Sequence, residues 1–569
     1  MQMESFAKLQ YERPDFDALE KFLTEAEERV KNAASFKEVD EIIVREDELS
    51  AHVNTMATVA MIRRNADMSN AFYAAEEAYI DRRAPEISVY EKKYLQALVG
   101  SKYRAQIEEK YGKNYMQSME LSLRRISEKN VPLRQRENEL CNEYSEIIAG
   151  AKIPFRGEEY NLQGLEKAFA SQDREERAEA WRAYAAFFEN NDEKLGNIFN
   201  ELVKVRTQMG RNLGYENYVP LGYAEQQRID YNQNDVAAFR KQVQEVIVPL
   251  CSRIYELQKK RLGLEKIEAC DQACVFADGN AVPVGDAKVL AEKAREVYRE
   301  MSEETGEFID FLLDRGLVDL ENRPDKMATG FMAALDEFKA PFVFSCFNGT
   351  TGDADVLTHE AGHAFAAYEA MRTQPLAALY GVPTDIAEIH SMSMEQFAYP
   401  YAEKFFGDGA EKYRIQHLQE AITFVPFGVA VDEFQHRVYE QPDLTNEQRH
   451  AVWKELEQKY MPWRSYEDGS FFDRGGWWYH KIHIFLYPFY YINYTLTTMG
   501  ALEFKKKMHE NKKAAWEDYT TLCKIGGSLG YKDALRAARL SVPFESGSVK
   551  KAVEFAANTL LKQLSKIEK

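Results

Sequence analysis

His359-Glu360-Ala361-Gly362-His363 spells H-E-x-x-H inside an apolar helical pattern. Residues four apart on an α-helix stand only about 40° apart around its axis. Both imidazoles can therefore point at one ion, with the Glu360 carboxylate beside them to take a proton. This is the chemistry of a catalytic zinc: two histidines, a third protein ligand, and a fourth position kept for water. The third ligand decides the zinc class. A continuation H-x-x-G-x-x-H fails, because the chain has Ala366 and Glu369 where Gly and His are needed. Glu369 also falls about 240° round the helix from His363. Glu388, in the segment 383–395, is the better candidate, with His390 and Glu395 as rivals. Two helical turns separate Glu395 from Glu388, so it shares that face and suits a role supporting the ligands. Asp385 and Glu388 also read, more plainly, as a capping pair at a helix start.

A second group lies far downstream, in the pattern H-x-x-x-Y-x-x-x-Y-x-x-Y formed by His483, Tyr487, Tyr491 and Tyr494. The spacing predicts three phenols along one helical face together with the imidazole. An aromatic core is the simpler reading, but a buried row of hydroxyls needs partners. Beside a metal, such hydroxyls would donate to a peptide carbonyl as it becomes an oxyanion.

Several elements must position these groups. Residues 340–347 read as a short buried or edge strand. Asn348-Gly349 and Gly352 supply a turn, and Asp353 and Asp355 sit in the first turn of the helix that follows. Gly362 costs that helix about 1 kcal/mol relative to Ala, which implies close approach by another helix or by substrate. Helical periodicity covers 16–34, 37–62, 68–79 and 91–149, with a stop at Gly150, and resumes over 165–210 and 234–262. Residues 151–162 read as a small hairpin and 277–285 as a loop. The expected fold is mainly α, with a small sheet beside the H-E-x-x-H helix. An N-terminal helical region, 1–164, precedes a catalytic region, 165–569.

Together these residues resemble the thimet oligopeptidase family of zinc peptidases. The strings Ala340-Pro341-Phe342…Phe347-Asn348-Gly349-Thr350 and Asp355 to Phe365 are most similar to its bacterial oligoendopeptidase F and Pz-peptidase branch. The resemblance runs from about Ala168 to near Leu560; the N-terminal part is similar only in size and helical character. It implies His359, His363 and Glu388 as ligands of one zinc and Glu360 as general base toward a zinc-bound water. It implies catalytic roles for His483 and Tyr494, with Tyr487 and Tyr491 positioning substrate. Asp355 matches an acid that would hold the His359 tautomer. The implied architecture is two helical lobes enclosing a deep channel that admits short peptides. The 342–347 strand would pair with an extended substrate. The chain departs from the pattern at Cys346, where Asn is expected, and around Cys270 and Cys274.

Composition excludes some classes. A net charge of −19 argues against nucleic acid or anionic membranes as partners. Six cysteines in 569 residues fit free thiols, and the start lacks the apolar core of a signal peptide. The uncharged run 484–502 contains a proline and several polar residues and makes a poor membrane span. A cytoplasmic enzyme acting on short peptides, without an obligate protein partner, is therefore expected. The rival readings are a zinc carboxypeptidase on a related scaffold and a non-catalytic peptide-binding protein. The first needs a receptor for the substrate's terminal carboxylate; the intact Glu360 argues against the second.

Overall fold

The structure, a computed structural model, describes residues 4–567 except 324, 328, 348 and 350. The turn residues Asn348 and Thr350 therefore lie outside the described residues, as do the first three residues of the chain. Among the described residues helices dominate, with two small sheets. Two compact units each draw on three stretches of chain. One comprises Met1–Arg124, Val282–Ala410 and Phe504–Leu540, the other Arg125–Ala281, Glu411–Glu503 and Ser541–Lys569.

The first unit opens with three amphipathic helices, Phe16–Asn32, Phe36–Ala66 and Ala71–Val99. Asp15, Ser35 and Asn70 cap them by accepting backbone N–H groups of the first turn. Their apolar faces meet in a cluster that includes Leu23, Ile43, Leu98 and, from further along, Leu376 and Leu379. The helical pattern over 91–149 is interrupted more than its periodicity suggested. Gly100 ends the third helix, Gly112 takes φ +93°, and Pro132 opens the helix Val131–Ala149, which stops at Gly150.

The first unit also holds a three-stranded sheet: β3 (Val318–Asp319), β4 (Phe331–Leu335) and β5 (Ala340–Phe344), in spatial order β3-β5-β4. β5 runs parallel to β3 and antiparallel to β4, with Val318 opposite Val343 and Phe331 opposite Phe344. All five residues of β5 are buried. The chain continues through Gly349 (φ +83°), whose N–H donates to Asp353 at 2.7 Å, into the helix Gly352–Thr373. The small sheet thus leads directly into the H-E-x-x-H helix.

The second unit contains the expected hairpin, β1 (Ile153–Phe155) and β2 (Glu158–Tyr160), turning through Arg156 and Gly157, both at positive φ. The long helix Gln233–Arg261 and the loop before Val284 follow as expected. The 165–210 stretch is divided: the main helices are Arg174–Asn190 and Asp192–Asn212. Among the described residues no helix is long and apolar enough to cross a membrane. All six cysteines are free.

Candidate active site

In the first unit, two helices bring the ligand candidates together. His359 and His363 stand one turn apart on Gly352–Thr373, and Glu388 lies on Thr384–Ala398. Glu388 Oε2 is 3.1 Å from His359 Nε2 and 3.4 Å from His363 Nε2. One donor atom from each of the three residues falls within 4.8 Å of the others. Two ligands about 2.0–2.1 Å from a tetrahedral zinc stand roughly 3.3 Å apart, so the donor set and its spacing fit that ion. Burial would raise Glu388 and depress His359. The carboxylate–imidazole contacts win: Glu388 is held far below the usual carboxylate range, and His359, flanked by Glu388 and Glu395, well above that of histidine.

Gly362 is what allows the two helices to meet. A Cβ there would fall 2.7 Å from Ser391 Cα and 2.8 Å from His390 O and Met394 Cβ. The close approach is therefore made by the Glu388 helix. Beneath both helices, Phe365 and Phe397 pack on Trp516 and Tyr519, and the Tyr519 hydroxyl donates to His390 O at 2.9 Å. Nothing in the local sequence near the histidines points to those two aromatics.

The neighbouring residues separate into clear roles. Glu395 Oε1 accepts from His359 Nδ1 at 2.7 Å, leaving Nε2 for the common focus. Asp355, the other acid expected near this imidazole, sits in the helix's first turn. His390 is no rival ligand, because its Nε2 turns to Leu522 O at 3.4 Å and burial depresses its pKa to about 3. Ser391 Oγ donates to Glu388 Oε2 at 3.0 Å, and Pro383 at the helix start makes no side-chain cap, so Glu388 is not spent on capping. Glu360 is buried, its Oε2 has no hydrogen-bond partner among the described residues, and burial raises its pKa. An orphaned buried carboxylate oxygen beside an ion site is poised to take a proton.

The substrate strand needs correcting. β5 pairs on both sides, and Ser345 N and Phe347 N continue the pairing to Asp319 O and Leu320 O. Among the described residues Ala340–Phe344 therefore has no free edge for a peptide. β3 and β4 are the edge strands, and Gly330 just before β4 approaches Glu360: a Cβ there would stand 3.8 Å from Glu360 Oε1. Cys346 donates to Asn322 Oδ1 at 3.2 Å.

The second unit gathers His483, Tyr487, Tyr491 and Tyr494, but not on one helical face. The helix Ile482–Leu486 stops before Pro488, which lacks an N–H and disfavours helix in the residue before it. Phe489 then turns through φ +62°, and a new helix starts at Ile492. The turn still collects the rings around His483: Tyr491 at 4.8 Å, Tyr487 at 5.9 Å, Tyr494 at 6.2 Å, and Tyr490, which the spacing missed, at 5.5 Å. Tyr491 is buried, and Tyr487 is 52% exposed. Burial, then the charge of Lys481, push His483 down to about 3, so its imidazole is neutral at ordinary pH. The strained turn is pinned from its buried side. Gln435 Oε1 accepts from Phe489 N and Arg228 Nη2 donates to Phe489 O, both at 2.5 Å. The Phe489 ring seats over Gly222, where a Cβ would come within 2.5 Å.

A second acidic cluster, Glu268, Cys270 and Asp271, has metal-like spacing, but Arg174 and Arg177 already occupy the Asp271 carboxylate at 2.9–3.0 Å. Cys270 is buried and its thiol is pushed up to about 11.

This helical fold, with two histidines and a glutamate converging beside a buried glutamate, is that of a metallopeptidase. Residues 169–553 match the profile "Peptidase family M3" and residues 6–126 the profile "Peptidase M3 N-terminal domain", and the chain belongs to that family. The second match extends the likeness of the N-terminal part beyond size and helicity. Among solved structures, Pz peptidase A with an inhibitor is 41% identical with a TM-score of 0.91, covering 98% of this chain and 99% of that one. A Bacillus anthracis structure, described provisionally as an oligoendopeptidase F, is 38% identical with a TM-score of 0.87, covering 99% of each chain. An oligoendopeptidase F homologue from Borreliella burgdorferi is 24% identical over 412 residues, which are 70% of this chain and 66% of that protein.

Proposed function

We propose that this chain is a zinc-dependent endopeptidase that hydrolyses internal bonds of short oligopeptides. The observation that carries the reading is the convergence of His359, His363 and Glu388 beside the unpartnered Glu360 oxygen. The three converging residues would hold one zinc, which when bound supplies a Lewis acid that acidifies water and polarises the scissile carbonyl. Glu360 would accept a proton from the attacking water and return it to the leaving amine; its raised pKa suits a group that must do both. Glu395 would keep His359 in the Nδ1–H tautomer. By family resemblance, Tyr494 with His483 would donate hydrogen bonds to the carbonyl oxygen as charge develops, while Tyr487 and Tyr491 position substrate. The neutral His483 would act as a donor rather than a cation. An extended peptide would pair with the edge of β4, binding many sequences through their backbone.

The division at 164/165 belongs to the same proposal, supported by profile matches that end at 126 and resume at 169. A cytoplasmic location is supported by six free cysteines. The test is mass spectrometry of products from a mixed-length peptide library, including blocked termini, with and without a chelator. Internal cuts in short blocked peptides that stop with the chelator are expected. Single-residue trimming from free ends would favour the carboxypeptidase, and no cutting the binding protein.

A further inference from the structure

Lys481 is a cation for which the reading above has no use. It is partly buried, two residues before His483. Its Nζ stands 4.2 Å from the centre of the Tyr491 ring and 5.9 Å from that of Phe427. Among the described residues its ammonium has neither an ion-pair partner nor a hydrogen bond. Glu166 acts on it only at longer range, its carboxylate taking the Tyr184 hydroxyl at 3.4 Å. Lysine is rarely removed from water without an anion, because the lost hydration has to be replaced. This chain has 92 acidic residues against 73 basic ones, so a carboxylate partner would be easy to supply.

The same ring touches a nitrogen that is both buried and unpartnered. His483 packs tilted against Tyr491 at 4.8 Å, and its Nδ1 is buried without a hydrogen-bond partner among the described residues. Phe424 and Phe427 stand edge-on to Tyr491 at 5.5 and 5.7 Å and keep the surface apolar. A cation on an aromatic platform, with no protein anion beside it, is open to a ligand anion, and ion pairing strengthens as surroundings become less polar. Peptides offer one such group, the carboxylate, at their C-terminus and on Asp and Glu side chains.

We propose that Lys481, held on Tyr491, is a specificity residue that binds a carboxylate of the peptide substrate. The inference rests on the peptidase reading. Burial brings the Lys481 ammonium down to about 8, which leaves it charged at neutral pH and favours an arriving anion.

The test measures binding, so it does not depend on turnover. A fluorescently labelled neutral peptide would be titrated against the full-length Glu360→Gln protein as its C-terminal acid, as its amide, and as an amide carrying one internal Asp. Hydrogen bonds to charged groups predict about 10-fold tighter binding of a carboxylate-bearing form than of the neutral amide. Which of the two forms gains identifies the source, terminus or side chain. Adding Lys481→Met, which keeps the aliphatic stem on Tyr491, should bring the ratio to within about 2-fold of unity, and Lys481→Arg should restore it. Equal binding of all three peptides by the parent, or a preference that survives Lys481→Met, overturns the proposal. Failure of the peptidase reading would show separately, as no cleavage of any of the three by the protein with Glu360 intact.

Discussion

Gly362→Ala adds one methyl group on the helix face that meets the Glu388 helix, and it should weaken metal binding. Its Cβ would stand 2.7–2.8 Å from Ser391 Cα, His390 O and Met394 Cβ, where ordinary contact begins at 3.4 Å. Two of these atoms belong to backbone, so no side chain can swing aside. The Glu388 helix must retreat by about 0.6–0.7 Å, carrying the carboxylate away from both imidazoles. Metal–ligand distances tolerate only about ±0.2 Å, so a shift of this size spoils the third ligand. The expected loss of zinc affinity is roughly 10- to 100-fold, the range seen when a group orienting a ligand is removed. Overpacking should cost about 1–3 kcal/mol of stability. Affinity is read by competition with a chromogenic chelator, and the fold by circular dichroism of the same sample. A folded variant that binds zinc within about 2-fold of the parent would refute the tight-contact argument.

Other consequences can be checked separately. Glu388→Ala should release zinc readily, while Glu395→Ala should weaken it by about 10- to 100-fold; the opposite order in chelator competition would exchange their roles. Tyr494→Phe should lower kcat by about 100- to 1,000-fold, or roughly 2.7–4 kcal/mol, with KM and zinc content nearly unchanged; normal kcat would return the hydroxyl to the aromatic core. Burial holds His436 neutral in the folded chain, with a pKa of about 4. The unfolded chain takes up more protons between about 6.5 and 4, so this group's contribution to stability is lost as pH falls through that window. Denaturant midpoints of His436→Gln should accordingly fall less steeply with acid than those of the parent, and parallel curves would contradict the assignment.

The side-by-side placement of His359 and His363 was readable because i and i+4 on a helix share a face whatever the tertiary structure. Glu388 and Glu395 were readable for a related reason: one helix carries both, two turns apart. Which imidazole nitrogen Glu395 reaches was not, because it approaches across a helix pair whose spacing depends on Gly362. The strand before the H-E-x-x-H helix was visible as an apolar run, but its central place depends on β3 and β4, which the run itself does not contain. At His483 the spacing gave the right cluster through the wrong geometry. Pro488 forbids the continuous helix assumed, and the Phe489 turn, clamped by Gln435 and Arg228, gathers the rings instead.

The central claim is that Glu360 moves protons while His359, His363 and Glu388 hold the metal. Glu360→Gln tests it when zinc content and peptide turnover are measured on one preparation. About one zinc per chain retained, with nearly all turnover lost, is the predicted result. Loss of zinc together with activity would make Glu360 a support of the metal site, and full turnover would remove it from the chemistry altogether.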